Sequence, residues 1–310
     1  MQYINGITFA PFCQKGVLSD PRAKESLRNL KERTGADFII LAPQGMQENA
    51  QSEEIDFTSD LTAGDDELRE IIAYAHELGI RVALKPTVNC LDGTWRAHIN
   101  FFDKEVPCEP KWSNWFRSHT AFHLHFAALA EECGCEMYIA GCEMVNSERR
   151  EAEWRQLIAD IRTVYSGPVS YNTDKYQEEC VKWWDCVDVI SSSGYYPIGK
   201  WEQELDRIEA IVKKFNKPFF FAECGCMSSK DSYLVPNNWH FLGEVAMEQQ
   251  AEWYRDMFTA CEKRPWVEGF CLWSWTGIPY SEEEAKVENK YDIYLKPAEK
   301  VVQEFYTKKH

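Results

Sequence analysis

A single (β/α)8 TIM barrel is the fold class that the sequence predicts, and three observations predict it. Eight short apolar runs alternate with eight segments of helical periodicity along 310 residues, the order of elements that builds a closed parallel sheet. The first run is not followed by a glycine-rich turn, where a dinucleotide-binding open sheet would carry one. No linker or shift in composition interrupts the chain, so residues 1–310 are expected to form one catalytic barrel domain.

Taken in order, the strand candidates are "YINGITF" (3–9), "DFIILAP" (37–43), "IRVALKP" (80–86), "EMYIAGCE" (136–143), "PVSYN" (168–172), "VDVISSSGYYP" (187–197), "PFFFAE" (218–223) and "VEGFCLWSW" (267–275). Several are apolar at successive rather than alternate positions, the pattern of strands buried on both faces. The helix candidates cover 20–34, 65–78, 112–132, 148–164, 175–184, 201–215, 246–262 and 297–308. Asp65 and Asp66 precede "ELREIIAYAHELG" as an N-terminal cap signal and Gly79 marks its end; Ser147 is expected to cap the helix that follows it.

The longest connections follow the second, third and seventh strands: "QGMQENAQSEEIDFTSDLTAGD", "TVNCLDGTWRAHINFFDKEVPCEPK" and "CGCMSSKDSYLVPNNWHFLGEV". All leave the C-terminal ends of strands, where barrel enzymes build their sites, and they are too long to be neutral connectors.

Two glutamates stand at such strand ends. Glu143 closes "MYIAGCE" and Glu223 follows the apolar "FFFA". Burying a lone carboxylate is costly, so each is paired, protonated or functional. One strand-end glutamate is ordinarily a cap or an ion-pair partner. Two of them facing across a barrel mouth are what a retaining glycosidase needs: a nucleophile, and an acid that later serves as base.

Their neighbours suit a sugar. Trp273 and Trp275 in "LWSWTG" fall on one face of a strand at period two, and either offers a flat floor to a pyranose ring. Tyr195 and Tyr196 end the sixth strand, where one hydroxyl would hold the nucleophile; Tyr196 is the candidate for the binding set. Lys85 ends the third strand, its loop holds Asn89 and Trp95 with Arg96 and His98, and Asn172 ends the fifth. Singly, each aromatic reads as core; gathered at one end, they read as a polyol-binding cleft.

Composition excludes other classes. A net charge of −16, spread along the chain, argues against nucleic acid and anionic membranes as partners. No run approaches the length of a membrane span, and the N-terminus lacks a basic segment ahead of an apolar stretch. The 12 cysteines are therefore expected to be reduced thiols of a cytoplasmic protein. Thiol-blocking reagents are expected to lower activity through Cys142 and Cys224, which flank the two glutamates. Cys133/Cys135 and Cys224/Cys226 are spaced too tightly for an ordinary zinc site, and His119 and His123 read as polar packing in the third helix, so no metal or other cofactor is expected. No G-x-S-x-G or H-E-x-x-H is present.

From "NGITF" to "LWSW" the chain resembles the β-mannanases of glycoside hydrolase family 113, in the clan of retaining (β/α)8-barrel glycosidases. The more specific pieces are "LKPTVNCLDGTWRAHI", "WSNWFRSHTAFHLHFAALAEECGCEMYIAGCEM", "WRQLIADIRTVYSGPVSYN", "WWDCVDVISSSGYYPI" and "KPFFFAECGCMS". The resemblance implies that Glu143 is the acid/base, Glu223 the nucleophile, and Trp273 the aromatic at the cleavage-site sugar. Many clan relatives carry asparagine immediately before the acid/base, where this chain has Cys142, and the family often lacks that asparagine. The expected activity is double-displacement cleavage of β-1,4-mannosidic bonds, with an oligosaccharide or polysaccharide as the partner. The alternatives are a β-glucosidase- or β-galactosidase-like activity of the same clan, and a catalytically silent barrel that binds oligosaccharide.

Overall fold

The computed structural model describes residues 1–241 and 243–308; Leu242, Lys309 and His310 lie outside them. Its elements in chain order are β1 (Ile4–Phe9), α1 (Pro21–Thr34), β2 (Phe38–Leu41), β3 (Gln44–Gln47), α2 (Asp65–Glu77), β4 (Arg81–Leu84), β5 (Thr87–Cys90), α3 (Trp112–Glu132), β6 (Met137–Cys142), α4 (Glu151–Ile161), β7 (Val169–Thr173), β8 (Val189–Ser193), α5 (Trp201–Phe215), β9 (Phe219–Cys224), α6 (Met247–Cys261), β10 (Val267–Trp275), α7 (Glu282–Ala285) and α8 (Pro297–Tyr306). Eight parallel strands close a barrel in the order β1-β2-β4-β6-β7-β8-β9-β10, with β10 returning to β1.

The remaining two strands extend the second and third runs. Pro43 and Pro86 cannot donate to a ladder, so β2 and β4 stop there and the chain resumes as β3 and β5. The carbonyl of Pro43 accepts from Thr87 N at 2.9 Å, and the pair stands as a two-stranded parallel sheet beyond the barrel's C-terminal end. Part of each of the two long connections is thus strand rather than free loop.

Local chemistry sets the helix ends. Asp20 accepts from Arg22 N at 2.9 Å and Pro21 opens α1, while Gly35, at φ 76°, ends it in the left-handed conformation. In α2 the cap differs from the expectation. Gly64 is the N-cap, and Asp65 and Asp66 fill the first turn, where they face the positive end of the helix dipole. Glu67 reaches back to Gly64 N and also accepts from Gly16 N and Leu18 N, tying the β1 loop to the helix. Ser147 does not cap α4: its hydroxyl bonds Met144 O within a 3-10 turn, and the helix starts four residues later.

The helix expected over 175–184 is replaced by turns and a 3-10 segment, Trp184–Cys186. Neighbouring Trp183 and Trp184 are both fully buried, which one helix face cannot achieve. Their indoles donate to Glu148 O and Glu178 O, so tertiary contacts override the local helical pattern.

Ile4, Phe38, Ile40, Met137, Ile139, Val189, Phe220, Ala222 and Cys271 fill the barrel's interior; a larger apolar layer lies between sheet and helices. Trp115, Trp154, Trp183, Trp184, Trp201, Trp253 and Trp275 are buried, so most of the tryptophan content serves the core. No described helix is long and apolar enough to cross a membrane.

Candidate active site

Irregularities at the ends of three strands aim the site's side chains. Phe220 and Ala222 of β9 point into the barrel, so strict alternation would turn Glu223 outward. The β8–β9 ladder instead slips by one residue, from Ser192↔Phe221 to Ser193↔Glu223, and the bulge delivers Glu223 to the mouth. In β6 an extra residue separates Ile139↔Ser170 from Cys142↔Asn172, at Gly141 with φ 101°. Glu143 follows in the left-handed region at φ 53°, rare for a residue with a side chain, with its amide bonded to Asn172 O at 2.8 Å.

Glu223 is held by Lys85, whose Nζ donates to Oε2 at 2.7 Å, and by the Tyr195 hydroxyl, which donates to Oε1 at 2.7 Å. Cys142 Sγ makes a weaker contact to Oε2 at 3.5 Å. Burial works to raise the pKa of Glu223, but Lys85, Arg96 and the Tyr195 hydroxyl outweigh it and hold the carboxylate below its ordinary value. Glu143 has different partners. Ser193 Oγ donates to Oε1 at 2.7 Å, and Trp95 Nε1 and Arg96 Nη1 donate to Oε2 at 3.1 and 3.0 Å. Arg96 is itself fixed by Val88 O and by Asn89 Oδ1, each at 3.0 Å.

One oxygen of each carboxylate and Cys142 Sγ all lie within 4.8 Å of one another. Lys85 and Arg96 put two positive charges on this cluster, which makes it a poor cation site and a good place to develop and neutralise negative charge. Above it opens a cavity of about 720 Å³ lined by Phe12, Gln44, Asn89, Trp95, Asp174, Lys175, Tyr195, Trp239, Trp273 and Tyr291. Burial and the charge of Glu143 push Asp174 up to about 7, against the pull of Lys175.

The residues singled out from sequence divide three ways. Glu143, Glu223, Asn89, Trp95 and Trp273 line the cavity. Lys85 and Asn172 lie fully buried beneath it, with Lys85 Nζ bonded to Asn172 Oδ1 at 3.2 Å; they support the carboxylates rather than face the cavity. Tyr196 and Trp275 belong to neither group. Tyr196 turns outward, its hydroxyl on Glu178 and its ring against Trp201. Alternation from Val189 through Ser191 and Ser193 reaches Tyr195, which lines the cavity instead. Trp275 also faces outward, with Nε1 on Ser26 Oγ at 3.1 Å. Between Ile7↔Leu272 and Phe9↔Trp275 the β10 strand carries an extra residue, which separates the two tryptophans by face.

Arg96, Ser193 and Tyr195 are the functional contacts that sequence reasoning left out of the binding set. None of the 12 cysteines is bridged. Buried His119 and His123 meet through their Nε2 atoms at 3.1 Å, and His123 Nδ1 lies 2.8 Å from the Tyr138 hydroxyl, a polar contact inside the helix layer.

Known proteins resemble the chain over its whole length. The family model described as Glycoside Hydrolase Family 113 matches residues 7–296. Two solved structures of GH113 β-1,4-mannanases, one of them a complex, share 51% and 50% identity with the chain over the whole of both, each with a TM-score of 0.98. The GH113 β-mannanase AaManA from Alicyclobacillus acidocaldarius, in complex with ManMIm, shares 39% identity over 99% of this chain and 98% of that one, with a TM-score of 0.95. No curated protein sequence matches the chain.

Proposed function

The chain belongs to glycoside hydrolase family 113, and from that premise we propose that it cleaves β-1,4-mannosidic bonds with retention, Glu223 acting as nucleophile and Glu143 as acid/base. The observation that carries the stereochemical part is that one oxygen of each carboxylate comes within 4.8 Å of the other's. A retaining pair stands about 5–5.5 Å apart, whereas an inverting pair needs about 6.5–9.5 Å to admit water between carboxylate and sugar.

The resemblance to the family divides the roles. Glu223, kept ionised by Lys85 and Tyr195, attacks the anomeric carbon; the glycosidic C–O bond breaks and Glu143 gives its proton to the departing oxygen. Glu143 then takes a proton from water, which attacks the same carbon and releases Glu223. Trp273 supplies a flat apolar wall, with Phe12 5.1 Å away on one side and Lys85 Nζ 5.6 Å from its ring centre. The unbridged cysteines support a reducing compartment, the cytoplasm, and with it a diet of short manno-oligosaccharides.

The test is the anomeric configuration of the first product from mannotetraose, followed by proton NMR, beside a panel of aryl β-mannosides, β-glucosides and β-galactosides. Initial β-mannose ends and preference for mannosides are expected. An initial α-anomer would overturn retention; preference for glucosides or galactosides would overturn the substrate; no turnover of any would leave a binding barrel.

A further inference from the structure

Behind Glu143 lies a second carboxyl that the proposed chemistry does not use. Glu148 is 2% exposed, in the turn between β6 and α4. Its Oε1 accepts from the Tyr171 hydroxyl at 2.8 Å and the Thr173 hydroxyl at 2.7 Å, while Oε2 has no hydrogen-bond partner. Having donated to Glu148, the Tyr171 oxygen presents a lone pair to the amide of Met144 at 3.1 Å. That amide belongs to the peptide immediately after Glu143.

The backbone there needs such support. A left-handed residue other than glycine persists only where its surroundings over-determine it, and Glu143 has φ 53°. Strand β7 clamps it on both sides: Asn172 O takes the amide before the side chain and Tyr171 takes the amide after it. The turn is braced from outside as well. Trp154 Nε1 donates to Ser147 O and Trp183 Nε1 to Glu148 O, each at 3.0 Å, and the two indoles stack at 4.9 Å.

We propose that Glu148, acting through the Tyr171 hydroxyl, is a positioning residue that fixes the backbone of Glu143 so that its carboxyl meets the glycosidic oxygen. The inference rests on the reading of Glu143 as acid/base. Glu148 does this as an uncharged acid. Burial pushes it up to about 8, and the charged groups acting on it, Asp174 and Glu178, are both acidic. Arg207 is bonded to Glu178 and Lys175 to Asp174 instead. Glutamine is therefore its closest mimic, keeping the acceptor without adding a charge.

The experiment compares Tyr171→Phe, Glu148→Leu, Glu148→Gln and Glu143→Gln on two substrates. Dinitrophenyl β-mannoside leaves without acid help, and its first step is read as the dinitrophenolate burst; mannotetraose requires the proton. Tyr171→Phe and Glu148→Leu are expected to lower kcat on mannotetraose about tenfold or more, the scale of a small misplacement of a catalytic group, with KM and the burst rate little changed. Glu148→Gln is expected to recover most of the rate that Glu148→Leu loses. If Glu148→Leu does not fold, Tyr171→Phe, which removes one hydroxyl, decides. Equal losses on both substrates, no loss on either, or a glutamine variant as poor as the leucine one would overturn the proposal while Glu143→Gln still separated the substrates. Should Glu143→Gln fail to separate them, the acid/base reading falls and takes the proposal with it.

Discussion

Lys85 shows how much one buried contact controls. Its side chain is fully buried with Nζ 2.7 Å from Glu223, so each charge is tolerated only because of the other. Removing one partner of such a pair costs on the order of 3–5 kcal/mol, and the protein escapes part of that by protonating the survivor. Lys85→Met is therefore expected to be less stable and to move the acidic limb of its kcat/KM profile to higher pH, since the proposed nucleophile must be ionised and Arg96 and Tyr195 would then oppose burial without its nearest cation. A limb that stays in place would show that Lys85 does not govern the nucleophile. The thiols lead elsewhere than their sequence positions suggested. Cys142 and Cys224 are 1% and 0% exposed, and burial pushes both well above the ordinary thiol range. Unreactive thiols out of reach of solvent do not meet a blocking reagent in the folded enzyme. A disulfide reagent is expected to label exposed Cys108 and Cys180 quickly, with activity intact, and to reach the buried thiols only on denaturation; early inactivation would mean that the site opens.

At the scale of elements, legibility followed periodicity and ended where the chain departs from it. All eight barrel strands were readable as apolar runs, and Glu143 and Glu223 stood out because a carboxylate at the end of such a run needs a reason. The partners of those glutamates were harder to read. The run "SGYY" offers two neighbouring tyrosines, of which alternation from Val189 favours Tyr195 over Tyr196, and nothing in the run marks Ser193 as more than a polar strand residue. Trp273 and Trp275 seemed to share a face because period-two counting carries no record of the extra residue that β10 inserts there. Bulges depend on what two neighbouring strands do together, which a single run does not display. Gly225 is part of the same arrangement: a β-carbon there would stand 2.3 Å from Trp273 O, so only glycine lets the chain after β9 pass the end of β10. The two tryptophans are expected to part in their mutants. Trp273→Ala should lower kcat/KM on manno-oligosaccharides by about 2–4 kcal/mol of transition-state binding with a small change in stability. Trp275→Ala should cost about 3–5 kcal/mol of stability, as for other buried aromatics, and leave the kinetics of the folded fraction near wild type. Urea unfolding and kinetics on both variants would separate them, and a reversed outcome would mean that the face assignment is wrong.

Across the whole molecule, buried titratable groups set the dependence of stability on pH. The slope comes from groups that bind protons differently in the folded and unfolded chain, as buried groups do most strongly. Glu148, at about 8 in the folded chain against 4.5 ordinarily, binds more proton folded than unfolded throughout that interval. Its contribution is complete below pH 4.5 and is lost as pH rises through 8. Asp174, at about 7 against 3.8, acts with the same sign over a lower interval. His119 and His123 oppose them. Burial holds both below the ordinary 6.5, His123 at about 3, so the unfolded chain binds more proton and stability rises with pH up to about 6.5. Below that value the two tendencies partly cancel; above it the acids act, joined toward pH 9 by buried thiols that keep their protons in the folded chain. Stability is therefore expected to stay nearly level from about pH 5 to 6.5 and to fall toward pH 8. Glu148→Gln, which cannot ionise, should flatten that falling limb and uncover a histidine-dependent rise below pH 6.5, where Glu148 otherwise opposes it. Urea unfolding at half-unit steps from pH 5 to 9 measures both limbs. A wild-type slope in the glutamine variant would show that Glu148 is already ionised in the folded protein, and the decline would then have to originate elsewhere.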